Sequence, residues 1–158
     1  MIGLREGRNN MAKLYFKYGA MGSSKTAQAL ITKYNYEEND MKVWLLKPSA
    51  DTRDGVNILR SRVGLQAEVE IATPDVNVYD RYKSGFAEDM EQIDQLRRIV
   101  DDFNVPVMCF GLRTDFRTKL FPGSHRLMEL ADVIEEIKTM CDCGSKATVN
   151  ARINEGYI

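Results

Sequence analysis

The strongest constraint on this 158-residue chain is an abrupt change of pattern after residue 18. Leu14-Tyr15-Phe16-Lys17-Tyr18 is short, aromatic-rich and reads as a strand. It runs straight into Gly19-Ala20-Met21-Gly22-Ser23-Ser24-Lys25-Thr26, and Ala27 to Tyr34 is then rich in helix formers. Lys42-Val43-Trp44-Leu45-Leu46-Lys47 reads as a second buried strand, stopped by Pro48. Strand, glycine-bearing loop, helix and strand make one βαβ unit, whose strands are expected to be parallel with a right-handed crossover.

The segment from Gly19 to Thr26 nearly matches G-x-x-x-x-G-K-[ST], the pattern of a phosphate-binding loop. Such a loop needs backbone freedom so that successive N–H groups can face phosphate oxygens. It needs a lysine for the β- and γ-phosphate charge and a hydroxyl for Mg²⁺, and the following helix adds its positive end. Gly19, Met21, Gly22, Ser23, Ser24, Lys25 and Thr26 are therefore the candidate phosphate-binding residues, with Thr26 the magnesium ligand. Ser24 stands where the pattern has its second glycine, which is tolerable if that position has an ordinary φ. The plainer alternative is a serine- and glycine-rich turn that merely caps a helix. By itself the loop says nothing about what receives a phosphate.

Further along, Glu68 to Ile71 and Val76 to Tyr79 are weak strand candidates on either side of Pro74. Ile93, Leu96, Ile99, Val100 and Phe103 fall on one helical face, ended by Asn104 and Pro106. Val105 to Gly111 reads as a buried strand entering a loop, and Leu127, Leu130, Val133 and Ile134 mark another short helix. The 22 basic and 23 acidic side chains argue against a protein whose affinity comes from nucleic-acid phosphates. No apolar run is long enough to cross a bilayer, and residues 1–10 lack the apolar segment of a signal peptide. Those ten residues read as an extension or a cloning remnant and are set aside from the fold. Three cysteines without an export signal do not make a disulfide framework, so a cytoplasmic location is expected. Cys109, in an apolar run, reads as inert core, and His125 as a surface residue.

Several segments together resemble the type II thymidine kinases. The loop Gly-Ala-Met-Gly-Ser-Ser-Lys-Thr is similar to that family's loop, and Lys47-Pro48-Ser49-Ala50-Asp51-Thr52-Arg53 resembles its K-P-x-x-D-x-R. Ser61-Arg62-Val63-Gly64 resembles its S-R-x-G. Gln95 to Val100, followed by Gly111-Leu112-Arg113-Thr114-Asp115-Phe116, is similar to its helix and thymidine-side loop. Cys141-Asp142-Cys143-Gly144-Ser145-Lys146-Ala147 resembles the first half of its zinc-bound small domain. The resemblance runs with interruptions from Ala12 to Ile158.

It implies an α/β fold with a P-loop NTPase-like (RecA-like) parallel sheet flanked by helices. Residues 1–10 would be the extension, 11–138 the nucleotide-binding domain and 139–158 part of a small zinc-binding domain. It implies ATP and thymidine as substrates, Mg²⁺ with the ATP, structural Zn²⁺, dTTP as feedback inhibitor and a homotetramer. Lys25 would be catalytic, and Asp51 and Arg53 would sit near the phosphates, unless they form a solvent-exposed ion pair. Phe116, Phe121 and Tyr157 would line the nucleoside pocket, the two phenylalanines being alternatively plain core. Cys141 and Cys143 would be zinc ligands, in a C-x-C spacing tighter than the usual C-x₂-C.

Two departures stand out. The family's acidic motif, D-E-A-Q-F, supplies its magnesium aspartate and its base, and it does not occur here; Tyr82-Lys83-Ser84-Gly85 passes into Phe86-Ala87-Glu88-Asp89. Arg152-Ile153 passes directly to Asn154-Glu155-Gly156-Tyr157-Ile158, without the body of the family's nucleoside loop or its second ligand pair. Either the sequence omits residues of a longer protein, which is the preferred reading, or this is a deletion variant expected to be catalytically silent. The rival functions are another P-loop nucleotide-binding protein and a non-catalytic nucleotide-binding module.

Overall fold

The computed structural model describes residues 2–3, 11–49, 51, 55, 57–83 and 92–151. In chain order these form β1 (Ile2–Gly3), β2 (Leu14–Tyr18), α1 (Lys25–Glu37), β3 (Val43–Trp44), β4 (Leu46–Pro48), β5 (Ile58–Arg60), β6 (Gln66–Glu68), β7 (Glu70–Ala72), α2 (Val78–Lys83), α3 (Gln92–Phe103), β8 (Val107–Gly111), α4 (Pro122–Leu130) and β9 (Val133–Glu136). Among the described residues, the central sheet has the order β3-β1-β8-β2-β9.

β2 is the axis of that sheet and runs parallel to both its neighbours. Leu14 faces Val107 and Tyr18 faces Gly111 on one side, while Tyr15 faces Val133 and Tyr18 faces Glu136 on the other. The carboxyl ends of β2, β8 and β9 therefore finish along one edge, which is where open α/β sheets hold ligands. Leu14 and Phe16 lie two apart and so point to the same face. Both are fully buried, packed with Val78 and Tyr79 of α2, Ile99 and Val100 of α3, and Leu127 of α4. Each such side chain contributes about 1.5–3 kcal/mol on burial. A second apolar cluster joins Leu30 of α1 to Leu45 and Val69.

The structure departs from the sequence reading in four places. The run Lys42 to Lys47 does not form one strand. Trp44 and Leu46 pack toward the main core while Leu45 enters the second cluster, so the run divides. β3 joins the central sheet, and β4 instead pairs in parallel with β7. β2 and the strands after α1 are therefore not neighbours. Within the segment set aside as an extension, Ile2–Gly3 pairs antiparallel with both β3 and β8. Val76 to Tyr79 does not form a strand: Asn77 Oδ1 accepts the Asp80 N–H at 3.0 Å, a helix-capping bond that outweighs the β-propensity of the valines and starts α2. The helix read through Val133 and Ile134 stops at Leu130, and those residues open β9.

Asp132 pins that new strand. Its Oδ2 accepts the Leu14 N–H and an Arg97 N–H, each at 2.7 Å, while its own N–H donates to the Leu14 carbonyl at 2.9 Å. α3 ends at Asn104, whose φ of 53° takes it out of the helix.

Arg126 of α4 clasps Asp94 of α3, with Nε 3.0 Å from Oδ2. The Arg126 hydrogen bonds hold the Asp94 carboxyl below its ordinary 3.8. For Asp132, burial pushes the other way, but the Leu14 amide and Arg97 prevail and its pKa is also lowered. A carboxyl depressed in the folded state stabilises above its unfolded pKa and loses that contribution as pH falls through the folded value. Urea midpoints should therefore be level above about pH 5 and decline below about pH 4. The decline should be shallower in an Asp94→Asn, Asp132→Asn double variant, whose starting stability is lower.

Candidate active site

Between β2 and α1 the chain makes a compact turn. The Gly19 N–H donates to the Gly111 carbonyl at 3.2 Å, tying the loop to the end of β8. The Ser23 N–H returns to the Ala20 carbonyl at 3.2 Å, and Gly22 supplies the φ of 81° that this turn requires. Ser24 follows with φ 57° and ψ 14°. This corrects the expectation of an ordinary φ: the serine occupies the left-handed conformation for which the pattern has glycine. That conformation costs a non-glycine residue roughly 1–2 kcal/mol. Ser24→Gly is accordingly expected to raise stability by about 1 kcal/mol, read as a higher urea midpoint with unchanged slope.

α1 begins at Lys25, and the Gln28 N–H to Ser24 carbonyl bond of 2.9 Å is its first backbone closure. Amides in the first turn of a helix have no intrahelical acceptor, and the helix dipole favours negative charge there. In an ordinary start, the capping side chain and an acidic residue answer both needs. Here Ser24 makes no side-chain capping bond and the first turn holds no acid. A helix mouth left in this way can take an anion. The Lys25 Nζ reaches back across the loop, donating to the carbonyls of Gly19 at 2.9 Å and Ala20 at 2.7 Å and to Ser23 Oγ at 3.0 Å. Ser23 is buried beneath it, and Thr26 is the second residue of the helix.

The loop opens on a concavity at the carboxyl edge of the sheet, walled by Gly19, Ala20, Arg113, Glu136 and Asn150. Arg113 lies 5.3 Å from the Tyr18 ring centre. Lys146, bonded to Glu136, holds that carboxyl below its ordinary pKa. The Met21 N–H donates to Asn150 Oδ1 at 2.7 Å.

The family model for thymidine kinase matches residues 12–157. The chain belongs to the thymidine kinase family. It is 45% identical to the thymidine kinase of Enterobacteria phage T4, across 92% of this chain and 82% of that protein. It is 43% identical to that of Jannaschia sp. (strain CCS1), with the same two coverages. It is also 43% identical to that of Lactococcus lactis subsp. lactis (strain IL1403), across 92% of this chain and 84% of the relative.

Of the residues expected at the site, the structure gathers Gly19, Met21, Gly22, Ser23, Ser24, Lys25 and Thr26 into the one loop and helix mouth. Asp51 follows β4, its N–H bonded to the Pro48 carbonyl at 3.0 Å. Arg53 and Tyr157 lie outside the described residues, as do Phe86, Glu88, Asp89 and the two junctions where the sequence departs from the family. Phe116 and Phe121 are 43% and 40% exposed, so neither is core. Both lie between β8 and α4, and neither lines the concavity. His125 is at the surface beside Glu129, and burial raises the Cys109 thiol to about 11, consistent with an inert side chain.

Cys141 and Cys143 share one exposed turn, closed by Cys141 N–H to the Ser145 carbonyl and Gly144 N–H to the Cys141 carbonyl. The Ser145 amide and then the Cys141 thiol hold the Cys143 thiol below its ordinary value. Among the described residues no third histidine, cysteine or carboxylate joins them. Sequence reasoning missed Glu136 and Asn150. Glu136 could have been found only by recognising β9, and nothing local marks Asn150.

Proposed function

We propose that this chain transfers the γ-phosphoryl group of ATP to the 5′-hydroxyl of thymidine, giving dTMP. The observation that carries the reading is the turn from Gly19 to Ser24 at the mouth of α1, with the Lys25 ammonium drawn across it. ATP would lie with its phosphates against the loop amides, and Lys25 would exchange loop oxygens for the β- and γ-phosphate oxygens. The Thr26 hydroxyl would hold Mg²⁺, which would supply neutralisation of the charge those phosphates share. The catalysis available from these groups is positioning and charge stabilisation of an in-line transfer. The thymidine 5′-hydroxyl also needs a carboxylate to orient it, and none is assigned here. Asp51 and Arg53 are proposed near the phosphates, and Phe116, Phe121 and Tyr157 beside the nucleoside.

One observation favours the rival reading of a silent nucleotide-binding module: the family's acidic motif does not occur in this sequence. The deciding experiment supplies γ-labelled ATP, Mg²⁺ and thymidine and follows labelled dTMP. Product formation supports the kinase; tight ATP binding without product supports the silent module.

The resemblance supports three further properties. The fold of residues 11–138 would be P-loop NTPase-like, with residues 139–158 part of a small zinc-binding unit. The enzyme would be a homotetramer inhibited by dTTP. It would work in the cytoplasm; among the described residues no helix is long and apolar enough to cross a membrane. Cys141 and Cys143 would furnish half of a four-ligand zinc site. A protein that also carries the family's second ligand pair should bind about one zinc per chain by elemental analysis and lose it in Cys141→Ser.

A further inference from the structure

We infer that Asn150 is a positioning residue for the phosphate loop. This rests on the proposed kinase reading and adds a part that reading does not contain. Ala20, Met21, Gly22 and Ser23 form a turn closed by the Ser23 N–H to Ala20 carbonyl bond, with Gly22 at φ 81°. In such a turn the amide of the second residue points away from the closing bond and is open to an outside acceptor. Asn150 Oδ1 is that acceptor, 2.7 Å from the Met21 nitrogen, although 129 residues separate the two in sequence.

The segment carrying Asn150 is itself anchored. Thr139 to Ala147 is a hairpin, closed by the Ala147 N–H to Thr139 carbonyl bond of 2.8 Å and a Met140–Lys146 bridge. Lys146 then bonds Glu136 at the end of β9. The turn is thus held from inside by the Lys25 ammonium on the Ala20 carbonyl and from outside by an acceptor braced on the sheet. Fixing the turn spares bound nucleotide the ordering of the loop, so the benefit falls on ATP affinity.

The test compares the parent with Asn150→Leu and Asn150→Asp, the second keeping an oxygen acceptor. Met21 amide exchange, read by nuclear magnetic resonance in the nucleotide-free protein, should quicken about three- to tenfold in Asn150→Leu and return toward the parent rate in Asn150→Asp. Phe16 and Val107 amides should keep their rates, which a general loss of structure would not allow. In Asn150→Leu the KM for ATP should rise by about the same three- to tenfold. Unchanged Met21 exchange, or faster exchange with unchanged KM for ATP, overturns the inference. If the parent makes no dTMP, the kinase reading fails separately, and calorimetric binding of Mg·ATP to parent and Asn150→Leu replaces the KM comparison.

Discussion

Lys25→Ala is expected to lower kcat/KM for thymidine phosphorylation by about 10³-fold, comparable to removing a preorganised charge-stabilising donor from an active site. The structure gives the reason for so large an effect. The ammonium already crosses the concave side of its loop, held by Gly19, Ala20 and Ser23 oxygens. It would therefore meet an incoming phosphate without a search through side-chain rotamers. Alanine removes the charge and also leaves two loop carbonyls without this donor. Initial rates across ATP and thymidine concentrations, with melting curves as a control for folding, make the measurement. A variant that retained a tenth of the parent's kcat/KM would show that Lys25 does not carry the transferring charge.

Gly19→Ala should be the most damaging single methyl in the loop. A β-carbon there would lie 2.4 Å from Ser23 Oγ and 2.5 Å from the Ile137 carbonyl oxygen. Neither can yield easily. Ser23 is 2% exposed, and Ile137 is fastened to the end of β2 through its N–H to the Tyr18 carbonyl at 2.6 Å. Overpacking of this kind costs up to about 3 kcal/mol, which in a chain of this length lowers the melting temperature by roughly 6–12 °C. ATP affinity should fall in the same variant, because the Gly19 amide ties the loop to β8. A melting curve matching the parent's would mean that the loop relaxes far more freely than these contacts allow.

What the sequence made legible was local. Leu14 to Tyr18, the loop and α1 could be read because hydrophobic pattern, loop chemistry and helix propensity agree over consecutive residues. The face of α3 was legible from its spacing, and its end from Asn104. Sheet partnership was not, because it depends on contacts far apart in the chain. Nothing around Val43 says that Leu45 faces a different cluster from Trp44 and Leu46. Nothing around Val133 says that Asp132 will bond the Leu14 backbone and convert a helix-like spacing into a strand. Val76 to Tyr79 misled because β-branched residues were weighed above a single capping asparagine. At the site, the loop was legible from its motif, whereas two of the concavity's walls came from residues more than a hundred positions away, Glu136 and Asn150.

The two-residue strand Ile2–Gly3 has a practical corollary. In the described sheet β3 reaches β8 only through it, so Ile2–Gly3 forms a seam inside the sheet. A fusion that displaced Ile2–Gly3 would open that seam and part β3 from β8. A fusion elsewhere on the surface would leave the sheet's outer margin undisturbed.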